Sequence, residues 1–369
     1  QDAFEWSYYD EVLAGVNMLS ERKSGTGQST DLNGSHPADK PPSFQGIFCI
    51  DEREDSLRRH IELVDPACET LGCPGFFGVE FYFQPEGGKF HEKLCPAPVT
   101  PKYLIKEYDA KSGHGHELLY TKKTHSPLEG FFYSLSMGAV AAFKMLFHLF
   151  RPKMSPAISD AFAHMSIDGK LHIEAANPPQ MEAGLQLGFT VPEMATRVEG
   201  LLRGIGMVKN FAPIVYVVAH GSSSANNPHH GAHDCGACSG RPGATNARVF
   251  AFMANHPAVR AKMAENGLHI PAETQFVGAM HDTAADVIGY YDEDILLAKN
   301  APLHVRNKAI FEDALDLNAK ERSRRFASIN TKMDIKKIRE AIRKRSVSMF
   351  EPRPELGHGT NALCFVGTR

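Results

Sequence analysis

Residues 44–53 read FQGIFCIDER, and the reading of this stretch decides the fold expected of the whole chain. Ile47, Phe48 and Ile50 are apolar and β-prone, so the segment is expected to be a buried strand. Where the apolar run stops, Cys49, Asp51 and Arg53 follow at alternate positions. Cys49 offers a soft thiolate, Asp51 a hard carboxylate, and Arg53 a fixed cation able to grip that carboxylate through two hydrogen bonds. A second run of the same kind lies far along the chain, PIVYVVA at 213–219, which ends in His220-Gly221 and leads into a loop containing Cys235. In an open α/β sheet the carboxyl ends of the strands share one crevice. Two strands that each end in metal-ligating residues therefore point to one site, and Cys49, Asp51, His220 and Cys235 form a ligand set suited to tetrahedral zinc. A single cysteine closing an apolar strand is more often a small buried hydrophobe, so it is the joint pattern that favours a metal.

The same residues carry a family resemblance. CIDER at 49–53, AHGSSSANNP at 219–228, and DCGACSG at 234–240 with Asn246-Ala247-Arg248 resemble the DabA family, the carbonic-anhydrase-like subunits of a bacterial inorganic carbon transporter. The similarity runs from FEWSYYDEVL at 4–13 to NALCFVG at 361–367. That family is distantly similar to β-carbonic anhydrases, which share Cys-x-Asp-x-Arg but place His and Cys three apart. Here His220 and Cys235 are fifteen apart, as in the DabA pattern.

The resemblance implies one zinc per chain, held by Cys49, Asp51, His220 and Cys235, with Asp51 and Arg53 in catalytic roles. It also implies interconversion of CO2 and bicarbonate, a proton-conducting membrane partner of DabB type, and a peripheral place on the cytoplasmic face of the bacterial cell membrane. DabA proteins extend on both sides of the matched region, so the chain reads as a central piece. Coupling to the partner suggests weak CO2 hydration by the chain alone, with Asp51 closing the fourth metal position until it moves onto Arg53. A zinc-stabilised docking subunit without turnover is the alternative. A zinc hydrolase is disfavoured because no Glu stands beside His220 as general base.

Composition sets the outer bounds. The 369 residues are 43% hydrophobic and 22% charged, enough to bury a substantial core. A net charge of -3 gives no general attraction to nucleic acid or anionic lipid. Seven cysteines without regular spacing argue against a disulfide framework and for a reducing compartment.

The expected architecture is α/β, a mainly parallel sheet flanked by helices, resembling a β-carbonic anhydrase core with insertions. Residues 1–43 read as a helix and a flexible loop, 44–300 as the zinc domain with a helical insertion around 89–190, and 301–369 as C-terminal helices and a closing strand. Helices are expected over 55–63, 193–208, 246–256, 309–326 and 333–346, and strands over 76–83, 213–219 and 273–279.

The last of these strands brings His281 and Asp282 to the crevice, as groups behind the ligands or as proton carriers. Cys238 belongs with them, although Cys235-Gly-Ala-Cys238 also reads as a redox pair. Cys68, Cys73 and Cys95 read as structural thiols. Residues 130–150 are mostly apolar, but Lys144 and His148 argue against a membrane span, so a buried helix is expected, with a partner-facing helix second. His114, His116, His229, His230 and His233 read as loop histidines. Between Lys320 and Arg345 stand eleven Lys or Arg against three acidic residues, the composition of a solvated helix face.

Overall fold

The conformation is that of a computed structural model, which describes residues 2–25, 41–108, 127–150, 165, 168–224, 226, 234–348 and 350. In chain order its elements are α1 (Asp2–Gly25), β1 (Gln45–Cys49), α2 (Glu52–Val64), β2 (Glu69–Cys73), β3 (Phe81–Gln84), β4 (Glu92–Leu94), β5 (Tyr103–Tyr108), α3 (Pro127–Phe150), β6 (Lys170–His172), β7 (Met181–Glu182), β8 (Leu185–Leu187), α4 (Val191–Gly204), β9 (Ile214–Gly221), α5 (Ala244–Asn255), α6 (Pro257–Glu265), β10 (Gln275–Asp282), β11 (Val287–Tyr290), α7 (Ala301–Ser323) and α8 (Ile335–Ser346). Helix α1 belongs to a unit separate from Pro42–Ala362.

The main sheet has the order β11-β10-β9-β1-β2. All its neighbours are parallel except β10 and β11. Strands β1 and β9 are buried at every residue because the sheet is covered on both faces. The period-2 alternation of a strand divides their side chains between two cores. Ile47, Cys49, Val215, Val217 and Ala219 pack toward α4, α5 and α6. Phe48, Tyr216 and Val218 pack on the other face against Leu57 and Ile61 of α2 and Phe311, Ala314 and Leu315 of α7. Leu57 and Ile61 lie one helical turn apart on a single stripe, and truncating either to Ala would cost about 2–5 kcal/mol.

Helix α2 begins where β1 ends. Asp51 is its N-cap and accepts a hydrogen bond from the Arg53 backbone N–H, so the acidic residue of the CIDER stretch also starts the helix. Register then aligns the strand ends, with Cys49 opposite Cys73 and His220 opposite His281.

Strands between residues 81 and 187 form a second sheet of six, ordered β4-β3-β5-β8-β7 with β6 paired to β5, and the one described helix in this range is α3. One expectation changes. That helix, α3, is not buried: Phe131, Phe132, Leu135, Phe143, Leu146 and Phe147 are exposed. Apolar residues all round a helix signal burial only if another element covers it, and local sequence does not say which element that is. No described helix is long and apolar enough to cross a membrane. The expected closing strand, His114 and His116, and His229, His230 and His233 lie outside the described residues.

Candidate metal centre

The carboxyl ends of β1 and β9 stand side by side, and Cys235 lies next to them. Cys235 precedes a single 3-10 turn, Gly236–Cys238, and its carbonyl accepts from the N–H groups of Cys238 and Gly240 at 3.0 Å each. Its own N–H donates to the Arg241 carbonyl at 3.1 Å. This closed loop holds the Cys235 sulfur 4.0 Å from that of Cys49. With His220 the two thiols form a buried group whose ligand atoms all lie within 4.8 Å of one another. Cys49, His220 and Cys235 are able to hold a metal ion.

Three observations fit that use. Two sulfurs bound tetrahedrally at about 2.3 Å lie about 3.8 Å apart, close to the spacing seen. His220 is fully buried, yet neither ring nitrogen has a hydrogen-bond partner, an arrangement that is costly unless a ligand completes it. Both thiols are also pushed up by their surroundings, although His220 lowers Cys49. The facing Cys235 thiol and then burial push Cys49 up, while the Cys238 thiol and burial push Cys235 up, against a lowering contribution from Cys49. A bound cation reverses that penalty and releases the protons.

Asp51 stands beside this group. Arg53 Nε donates to its Oδ1 at 2.8 Å and Nη2 to its Oδ2 at 3.0 Å. Oδ2 also lies 3.7 Å from His220 Nε2. Burial alone would raise the Asp51 pKa, but Arg53 and His220 outweigh it and bring the carboxyl to about 2. Of the four residues expected as ligands, three are thus within mutual reach, and the fourth is held by Arg53.

His281 and Asp282 reach the same sheet edge but face other partners. His281 Nδ1 lies 2.7 Å from Glu54 Oε1, and its Nε2 lies 3.4 Å from Asp286 Oδ1. Asp286 in turn pairs with Arg322 and accepts from Asn318 Nδ2 at 2.7 Å. Burial opposes the charge on His281, but Glu54 and Asp286 overcome it and raise the pKa to about 9. Asp282 accepts from the backbone N–H groups of Ser223, Ala284 and Ala285, a loop-building role. Cys238 is buried with its thiol donating to the Gly75 carbonyl at 3.4 Å.

Sequence reading missed Glu54, Asp286, Arg322 and Gly75. None carried a sequence signal; Gly75 follows β2, a strand that the sequence reading did not expect.

The fold and the three-residue group define an α/β protein with a candidate metal centre at the carboxyl ends of parallel strands. The sequence model of one family matches residues 1–369, and its description is "Probable inorganic carbon transporter subunit DabA". The chain belongs to the DabA family. A relative in Azotobacter vinelandii with that description is 50% identical over 373 residues, covering 100% of this chain and 42% of the relative. One in Nitrosospira multiformis is 49% identical over 374 residues, covering 100% and 39%. One in Rhodopirellula baltica, described as "Probable inorganic carbon transporter subunit DabA 2", is 34% identical over 385 residues, covering 100% and 35%. The chain therefore spans about two fifths of the length of the first two relatives, at 42% and 39%. No solved structure matches at a significant level.

Proposed function

We propose that this chain is the zinc-holding part of an inorganic carbon transporter subunit that interconverts CO2 and bicarbonate together with a membrane partner. The observation that carries the reading is the buried Cys49–His220–Cys235 group with both nitrogens of His220 unpartnered. Two sulfurs and an imidazole suit zinc better than the harder magnesium or calcium. When bound, zinc would supply Lewis-acid activation of water for attack on CO2. Cys49, His220 and Cys235 would hold the ion, and the buried apolar residues around them would limit water there.

Asp51, gripped by Arg53 and ionised at neutral pH, accepts a hydrogen bond from the reacting water and orients it. The second role open to Asp51 is as the fourth ligand. Its Oδ2 is already 3.7 Å from His220 Nε2, and a small rotation away from Arg53 would close the site into a non-catalytic form. Residues 44–300 are read as the zinc domain, on a core like that of β-carbonic anhydrases. The partner is read as a DabB-type proton-conducting subunit, with the chain peripheral on the cytoplasmic face of the membrane.

Metal analysis and stopped-flow CO2 hydration test this, on the purified protein and on its complex with the membrane partner. About one zinc per chain is expected, with hydration in the complex and little without it. Asp51→Ala should keep the zinc and lose the hydration. Zinc loss in that variant would favour the closed form, and a wild type without zinc would overturn the reading.

A further inference from the structure

Strand β2 ends at Cys73, directly beside Cys49, and the turn that follows carries Gly75 into the metal group. A Cβ at Gly75 would stand 2.6 Å from Cys235 Sγ and 2.7 Å from Cys49 Sγ, where unbonded atoms of this size need about 3.5 Å or more. Backbone conformation does not account for the glycine. The left-handed φ in this turn belongs to Phe77 and Gly78, not to Gly75. What position 75 requires is the absence of a side chain.

The backbone around it is equally close. The Gly75 carbonyl accepts from the Cys238 thiol at 3.4 Å. A Cβ at Gly243 would lie 3.1 Å from that carbonyl and 3.4 Å from the Cys238 sulfur. Gly243 N–H donates to the His220 carbonyl at 3.1 Å. A side chain at position 75 would thus meet both sulfurs of the candidate centre, while the Gly75 carbonyl itself lies against the Cys238 thiol.

We propose that Gly75 is a positioning residue of the metal centre: the missing side chain keeps the space bridging the Cys49 and Cys235 sulfurs open to the ion, and its carbonyl holds the Cys238 thiol aside. The inference rests on the metal reading above and deepens it. A methyl group at 75 would compete with the ion for the bridging space or spread the sulfurs, and either changes the ligand geometry while leaving all three ligands present.

The test compares wild type with Gly75→Ala. Each is titrated with Zn2+ against a chromophoric chelator and with Co2+, whose thiolate-to-metal charge-transfer band reports sulfur ligation. Gly75→Ala is expected to lower zinc affinity by about 10- to 100-fold and to weaken or shift the cobalt band. Equal affinity and an identical band in both proteins would overturn the inference. A wild type that binds neither ion would overturn the metal reading instead. Thermal unfolding of the metal-free proteins then covers a loss of folding in the variant. Adding Cys235→Ala to Gly75→Ala removes one sulfur that the methyl meets, so the double variant is expected to melt above Gly75→Ala alone. A double variant no more stable than the single one would overturn the inference.

Discussion

His220 and His281 lie opposite each other on neighbouring parallel strands, and both are fully buried. Their surroundings differ completely. His281 has a carboxylate near each ring nitrogen, within a cluster that also holds Arg322. His220 has two thiols and no hydrogen bond. Burial penalises a polar ring equally in both places, so each arrangement must be balanced by something. For His281 the balancing charges are already in the fold. For His220 the one nearby charge described is the Asp51 carboxylate, 3.7 Å away and already gripped by Arg53, so neither ring nitrogen is hydrogen-bonded and the ring is free to serve a bound group. The same burial thus yields a structural histidine in one strand and a candidate ligand in the next.

The largest effect that would break this comparison is on metal content. His220→Ala or Cys49→Ala should reduce bound zinc from about one per chain to a trace by elemental analysis, while the metal-free protein keeps its circular dichroism spectrum. His281→Ala should do the reverse. It leaves Glu54 and Asp286 buried without their shared partner and should cost about 3–5 kcal/mol in urea unfolding, with zinc still bound. Loss of zinc in His281→Ala at full stability would show that the two histidines had been assigned the wrong way round.

A smaller effect sharpens the contrast through pH. The folded protein holds the His281 proton up to about 9, above the ordinary 6.5, through Glu54 of α2 and Asp286 after β10, with Arg322 of α7 facing the same cluster. That contribution is complete below about 6.5 and is lost as the pH rises through 9. Urea midpoints of the metal-free protein should therefore fall between pH 6.5 and 9.5, by on the order of 1–3 kcal/mol of stability, and His281→Gln should flatten the slope. The smallest change is expected at a solvent-exposed pair. Lys262 and Glu265 lie 2.6 Å apart, and Lys262→Ala should shift stability by about 0.5 kcal/mol or less.

Much of the main sheet was legible because buried parallel strands are continuous apolar runs. The runs at 44–50 and 213–219 correspond to β1 and β9, and their polar ends carry the candidate ligands Cys49 and His220. Helix α2 was legible from Leu57 and Ile61 at one-turn spacing, and α4 from Thr190-Val191-Pro192 ahead of an apolar face through Met194, Val198, Leu201 and Ile205. The second sheet was legible only in part, through the strand expected over 76–83 that overlaps β3. Its strands are mostly two to four residues long, too short for a period-2 pattern to stand out. Helix α3 was legible as a helix but not as an exposed one, because periodicity records what a segment offers for burial and not what meets it.

The sequence by itself determined the chemistry available: two thiols, an imidazole and an aspartate–arginine pair, each tied to the end of an apolar run that had to become a strand. Only the tertiary structure decided which of them meet. Cys49 and Cys235 are 186 residues apart and come within 4.0 Å because β1 and β9 pair and the 235–241 turn is closed by its own backbone hydrogen bonds. The same packing surrounded His281 with charge and left no room for a side chain at position 75 beside the two sulfurs. Local propensity and periodicity act over a few residues, whereas strand adjacency is settled by the burial of the whole core, and the composition of a site built between strands follows from that adjacency.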